Sequence, residues 1–149
     1  MIAKSLRDAA THTSSVQKLV LRKSQDLVCR NLMCERVGEA CVCKLSLVLE
    51  RLPQLEELDV SENKLQMLPP SIFQLSKLKQ LNVSGNMLTS QSLEQLGQLK
   101  ELQILHVENN PKIEQLPVKE LPALKHIYAR GTSLNLKLPE ELKNVIVEN

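Results

Sequence analysis

Four cysteines lie within one short segment of the chain and could form disulfides or bind a soft metal ion. Cys29, Cys34, Cys41 and Cys43 are separated by four, six and one residues. Zinc sites usually contain C-x-x-C pairs, which this segment lacks, and the nearest histidine, His12, completes no known pattern. We therefore expect free, mostly buried thiols and no bound metal. The alternative is a redox or metal switch formed by the four cysteines.

A second group of chemically active side chains recurs at alternate positions in two segments. Ile104, His106 and Glu108 form the first set, and His126, Tyr128 and Arg130 form the second. Tyr and Arg are enriched at the centres of protein interfaces, and imidazole and Ile side chains add contact area beside them. Two histidines and one nearby carboxylate are few ligands for a metal. These residues therefore favour contact with a protein partner.

Catalytic motifs cannot be recognised in the sequence. Its four glycines form no phosphate-binding loop, and neither H-E-x-x-H nor G-x-S-x-G occurs. No apolar run approaches the roughly 18 residues that span a bilayer, and the first ten residues do not resemble a secretory leader. We expect a non-enzymatic protein without a cofactor. We place it in the cytoplasm, with an organelle or the nucleus as alternatives.

Composition indicates a core assembled from many similar aliphatic pieces. The 149 residues include one Phe, one Tyr and no Trp, whereas about a fifth are leucine. A chain of this length forms one domain by default and buries roughly 70% of the surface that it exposes when unfolded. The net charge of +2 gives no reason to expect nucleic acid or an anionic membrane as the partner.

A repeat positions the side chains of the second group. The head of each unit, L-x-x-L-x-V-x-x-N, begins at Leu55, Leu78 and Leu102, at intervals of 23 and 24 residues. Degenerate heads begin at Val16, Leu124 and Leu142. Periods of this length are typical of solenoids, in which each unit packs on its neighbours. We predict one domain over 1–149, with an N-terminal capping segment at 1–15 and repeat heads near 16, 55, 78, 102, 124 and 142.

This repeat resembles that of the leucine-rich-repeat family, whose signature is L-x-x-L-x-L-x-x-N-x-L. The match covers about residues 16–149. Residues 55–77 continue with L-x-x-L-P-x-x-I-x-x-L and look like intracellular Ras-group repeats, while residues 78–101 lack the Leu-Pro pair. The resemblance implies an α/β fold, a right-handed solenoid with a curved parallel sheet of about six strands, and a non-enzymatic role in binding a partner protein.

Alternation along the strands determines which side chains are exposed. The fourth and sixth places of each head face the core, so the third, fifth and seventh face outwards on the concave side. Stacked heads align these outward residues in columns about 4.8 Å apart. We therefore predict a partner-binding face with acidic residues at one end and aromatic residues at the other, comprising Glu57, Asp59, Ile104, His106, Glu108, His126, Tyr128 and Arg130.

An inward-facing asparagine ends each full head. The chain turns there inside a packed interior, where its peptide groups need partners, and an amide side chain supplies both a donor and an acceptor. We predict that Asn63, Asn86 and Asn110 form a buried structural ladder.

The first repeat and the two ends depart from the regular pattern. The heads at Val16 and Leu55 are separated by 39 positions, and apolar side chains from Val37 to Leu52 recur between them at helical spacing. This spacing predicts one long convex helix of about four turns. Apolar residues within 2–10 share one helical face, so we predict a helix there that caps the first strand. The last head ends directly after its strand, so we expect either a shortened chain or a partner covering that edge.

The predicted function is a protein interaction module or scaffold that presents a concave sheet to a partner protein. The alternative is a structural subunit of a large complex, including a ribonucleoprotein, held by its ends and its basic N-terminal edge. In that case binding would fall steeply with salt. The RNA phosphates would contact Lys4, Arg7, Lys18, Arg22 and Lys23.

Overall fold

The structure, a computed structural model, describes residues 1–29, 32–36, 38–134 and 146–148, without the side chains of Lys119 and Glu148. Within these residues, seven short strands form one parallel sheet, and their order in the sheet follows the chain. The strands are β1 (Ile2–Ala3), β2 (Lys18–Val20), β3 (Glu57–Asp59), β4 (Gln80–Asn82), β5 (Ile104–His106), β6 (His126–Tyr128) and β7 (Ile146–Glu148). The predicted number was about six; Leu142, where the last head begins, lies outside the described residues.

Strand register follows the repeat without slippage. The third place of each head pairs with the third place of the next, through Lys18, Glu57, Gln80, Ile104 and His126. In β2 to β6 the central residue is buried and its two neighbours are half-buried. Alternate side chains therefore point to the core and to the concave face, as expected for a period of two.

Helices of one to three turns stack on the side of the core opposite the sheet. They are α1 (Leu6–Thr11), α2 (Cys43–Leu49) and the 3₁₀ helices Gln25–Leu27, Pro70–Gln74, Ser90–Gln98 and Val118–Glu120. Leu45, Ile72 and Leu93 from these segments are fully buried against strand leucines such as Leu81. None of the helices in the described part of the chain has the length and apolarity needed to cross a bilayer.

The convex helix of the first repeat is shorter than the predicted four turns. Helix α2 spans only Cys43–Leu49, and Cys41 precedes it instead of lying on its buried face. Residues 39–41 are extended because Cys29 N donates to Glu39 O and Cys41 N donates to Leu27 O, around an antiparallel bridge between Val28 and Ala40. This pairing uses backbone groups that a longer helix would need. Val37, the first residue of the predicted helix, lies outside the described residues.

The N-terminal segment caps the solenoid with a strand as well as a helix. Instead of one helix over residues 2–10, β1 pairs with β2, and α1 begins only at Leu6, where Ser5 accepts a hydrogen bond from Asp8 N. Ala3, Leu6 and Ala9 are buried, but Ile2 is 57% exposed. The strand satisfies backbone groups of β2 that a helix could not reach, which explains the difference.

Three asparagines connect successive turns of the solenoid. Asn86 Nδ2 donates to Val60 O and Val83 O, and Asn86 Oδ1 accepts from Asn63 N and Leu65 N. Asn63 and Asn110 make equivalent bonds to their own repeat and to the preceding one. All three are buried, with exposures of 9%, 4% and 0% for Asn63, Asn86 and Asn110. Each side chain thus satisfies peptide groups that the turns would otherwise leave unpaired.

Candidate interaction site on the concave face

Three aromatic rings stack on the concave face of β5 and β6. The ring centroid of Tyr128 is 4.1 Å from that of His106 and 4.1 Å from that of His126, with interplanar angles of 1° and 7°. His106 is the register partner of Tyr128 on the neighbouring strand, and His126 lies two residues before it on the same side of β6. The strand register therefore builds this ring stack, and all three side chains remain half-buried.

The carboxylate of Glu108 fixes the orientation of the His106 ring, which lies at one end of the stack. His106 Nδ1 lies 2.7 Å from Glu108 Oε1, and because a carboxylate can only accept, the imidazole donates from this nitrogen. Glu108 follows His106 by two residues on the outward face. The bond restricts rotation of the His106 ring and thereby helps to keep it parallel to Tyr128.

The remaining residues predicted for the aromatic end surround the ring stack. Ile104 pairs in register with His126 and is half-buried, so it lies beside the rings. Arg130 follows Tyr128 by two residues and is exposed. An aliphatic surface, a carboxylate and a guanidinium thus lie around three stacked rings.

Two predicted site residues lie away from this cluster. Glu57 and Asp59 are on β3, and Gln80 and Asn82 of β4 separate them from β5. At about 4.8 Å per strand, the acidic residues are roughly 10 Å from the rings. The predicted concave face is therefore continuous, but its acidic and aromatic parts are separate.

Ion pairs occupy the acidic part and the basic N-terminal edge. Lys18 Nζ lies 3.1 Å from Glu57 Oε2, and Lys23 Nζ lies 3.3 Å from Glu62 Oε2. Further along, Lys79 Nζ lies 2.9 Å from Glu56 Oε1. The hydrogen bond from Lys79 lowers the pKa of Glu56, and the same bond raises the pKa of Lys79. These carboxylates are therefore paired with lysines of the same chain. Two of those lysines, Lys18 and Lys23, are among the residues that would contact RNA phosphates in the alternative function.

The four cysteines come together in space, which their spacing in the sequence did not predict. Their sulfur atoms all lie within 4.8 Å of one another. Only Cys29 and Cys41 are buried, whereas Cys34 is half-buried and Cys43 is exposed. A backbone hydrogen bond from Arg36 lowers the pKa of Cys34, while desolvation raises that of Cys41. The cysteines are free thiols, as expected, but only two of the four are buried. Antiparallel pairing of 27–29 with 39–41 folds the segment back on itself and brings them together.

Comparison with known proteins identifies the repeat. Residues 53–111 match the family model for the leucine rich repeat. The protein flightless-1 homolog of Caenorhabditis elegans is 44% identical over 61 residues, covering 40% of this chain and 5% of that protein. Nephrocan of Mus musculus is 35% identical over 91 residues, covering 58% of this chain and 17% of that protein. The chain thus spans less than a fifth of the length of either relative.

A solved structure shows the same architecture. A leucine-rich-repeat protein of Leptospira interrogans superimposes with a TM-score of 0.59 and 29% sequence identity, over 69% of this chain and 27% of that one. The Ras-group subtype stays a prediction. The regular heads, the parallel sheet in chain order and these similarities together show that the chain contains leucine-rich repeats.

Proposed function

We propose that this chain is a non-enzymatic interaction module, and that a partner protein binds across β5 and β6 on the concave face. Leucine-rich-repeat proteins generally act in protein–protein interaction. The observation that supports the proposed location is the ring stack of His106, Tyr128 and His126. A cytoplasmic location is the setting that we propose for this activity.

The ring stack has the physical properties of a binding centre. Interface hot spots are enriched in Tyr and lie where well-packed side chains exclude water. Because each ring is held by the next and His106 is also held by Glu108, little side-chain entropy is lost when a partner binds. Tyr128 has a hydroxyl group and an apolar ring, so it can contact a partner through both.

The surroundings of the ring stack indicate the chemistry of the partner. Ile104 offers an aliphatic surface on one side, and Arg130 offers an exposed guanidinium on the other. A partner segment that crosses the strands with an apolar side chain followed by a carboxylate would complement this order. The charged residues at the N-terminal end of the concave face would contribute less to partner binding, because they already pair with one another and are screened by solvent.

Capture from native cells tests the proposal with two matched double variants. Tyr128→Ala with His106→Ala removes two of the three rings. Lys44→Ala with Gln95→Ala changes two exposed side chains on the convex helices. We expect partner recovery to fall at least about tenfold for the ring variant, as for a hot spot, and to be unchanged for the convex variant. Equal recovery with both variants would contradict the assignment.

A further inference from the structure

The cysteine cluster supplies four soft ligands at one point. Cys29, Cys34, Cys41 and Cys43 each place a sulfur atom within 4.8 Å of the other three. Thiolates favour zinc among the metal ions common in proteins, and four cysteines form one of the usual closed structural zinc sites. Ligand type and number thus meet the first requirement for a metal site.

Two of the sulfur–sulfur distances match those around one tetrahedral ion. Four sulfurs about 2.3 Å from zinc lie about 3.8 Å apart. The Cys34 sulfur is 3.7 Å from that of Cys41 and 3.7 Å from that of Cys43. The Cys41 and Cys43 sulfurs are closer, at 2.9 Å, and must open by about 0.9 Å, which a small side-chain rotation at the exposed Cys43 provides.

Disulfides account less well for this arrangement. A disulfide brings two sulfurs to about 2.05 Å and therefore leaves the four atoms in two pairs. Cys34 instead lies equally far from two other sulfurs. Within the part of the chain that the structure describes, no disulfide joins the cysteines.

The backbone around the cluster holds the ligands in place. The antiparallel bridge between Val28 and Ala40 places Cys29 opposite Glu39 and Cys41 opposite Leu27, so the two cysteines lie diagonally on one face of the paired segments. Arg36 N donates to the Cys34 sulfur over 3.5 Å, a contact of the kind that orients metal ligands. A cavity of about 300 Å³ bordered by Cys34, Cys41 and Cys43 gives an ion a path from solvent.

We infer that these four cysteines bind one zinc ion, which fastens the long insertion of the first repeat to the start of α2. Binding converts the four thiols to thiolates, and their protons pass to solvent. The ion then replaces part of the apolar packing that this insertion lacks, because Leu32 and Met33 are exposed and add little to the core. This site is independent of the concave face, since the cysteines lie on the helical side of the solenoid.

Metal analysis of the full chain tests the inference. The reduced protein is equilibrated with zinc and dialysed without chelator, and its zinc, iron and thiols are then measured. We expect one zinc per chain, and we expect EDTA to release the zinc and to speed alkylation of the exposed Cys43 by at least about tenfold. Four reduced thiols without zinc, or stoichiometric iron in its place, would overturn the inference.

Matched variants assign the zinc to this site. Cys34→Ser and Cys43→Ser change a half-buried and an exposed side chain, so the fold should survive, and each should weaken zinc binding at least about tenfold. Cys43→His should retain zinc because imidazole is also a ligand, and His12→Ala should be neutral. Replacement of zinc by cobalt should give thiolate-to-metal charge-transfer bands only in variants that bind. Unchanged affinity in both serine variants would show that the ion is held elsewhere.

Discussion

The ring of Tyr128 lies parallel to that of His106, with an angle of 1° between the planes and 4.1 Å between the centroids. The two residues occupy the same place of successive repeat heads, so register alone brings them together. Aromatic pairs of this kind contribute about 0.5–1.5 kcal/mol beyond the area that they bury. The pair is thus stable enough to stay ordered and is exposed enough to meet a partner.

The single tyrosine makes this site visible by spectroscopy. The chain has one Tyr and no Trp, so tyrosine fluorescence and near-ultraviolet circular dichroism report on Tyr128 directly. We expect His106→Ala with His126→Ala to reduce the tyrosine circular dichroism band, because the ring loses both stacking neighbours and rotates more freely. His12→Ala removes an exposed histidine outside the sheet and should leave the band unchanged. An intact band in the double variant would show that the rings are not stacked in solution.

Replacing Asn86 should destabilise the solenoid. Asn86→Ala removes the acceptor of the Asn63 and Leu65 N–H groups inside the core. We expect the free energy of unfolding to fall by about 1–3 kcal/mol or more, seen as a lower midpoint in urea with an unchanged slope. Asn82→Ala is the matched control, because the side chain of this asparagine lies on the concave face and accepts hydrogen bonds from Ser84 within its own turn. Equal losses in the two variants would contradict the structural role of the ladder.

The ion pair of Glu56 and Lys79 should make stability depend on pH in a known direction. Lys79 donates to Glu56 and lowers the pKa of this carboxyl in the folded state. A lowered pKa means that the stabilisation is present above the unfolded pKa of about 4.3 and is lost as the pH falls through the folded value. We expect Lys79→Met to raise the pKa of Glu56 in an NMR titration and Lys79→Arg to keep it low. A pKa unaffected by Lys79→Met would show that the pair does not form.

The pH dependence that comes from Lys79 has the opposite direction. Its bond to Glu56 raises the pKa of Lys79, so this contribution is present below the unfolded pKa of lysine and is lost as the pH rises through the folded value. The pair therefore acts across the interval between the two folded pKa values. Both side chains are partly exposed, so salt should weaken the effect.

The repeat made much of the architecture predictable from sequence. Because side chains alternate along a strand, placing Leu58, Leu81 and Leu105 in the core also fixes the outward columns, and the structure has this register. The stacking of His106 on Tyr128 follows from the same alignment. Whether these rings bind a partner cannot be derived from the repeat, which constrains only the scaffold.

Segments without the repeat were harder to predict. The insertion after β2 has no counterpart in the other repeats. The helical spacing from Val37 to Leu52 therefore suggested a long helix, but backbone pairing of Val28 with Ala40 shortens it to Cys43–Leu49. The cysteine cluster depends on the same pairing, which residue spacing alone does not reveal. Strand β1 has only two residues, too few for alternation to show. In each case a contact between distant backbone groups decided the structure.

Site-specific crosslinking tests whether a partner protein binds at the concave face. A photoreactive side chain replaces Ile104 beside the rings in one variant and Gln95 on the convex side in another, and each full chain is irradiated in native cells. We expect position 104 to give a crosslinked partner protein, and we expect this product to be lost when Tyr128→Ala is added. Position 95 should give no such product. A partner crosslinked equally from both positions, or only from position 95, would contradict binding at the concave face.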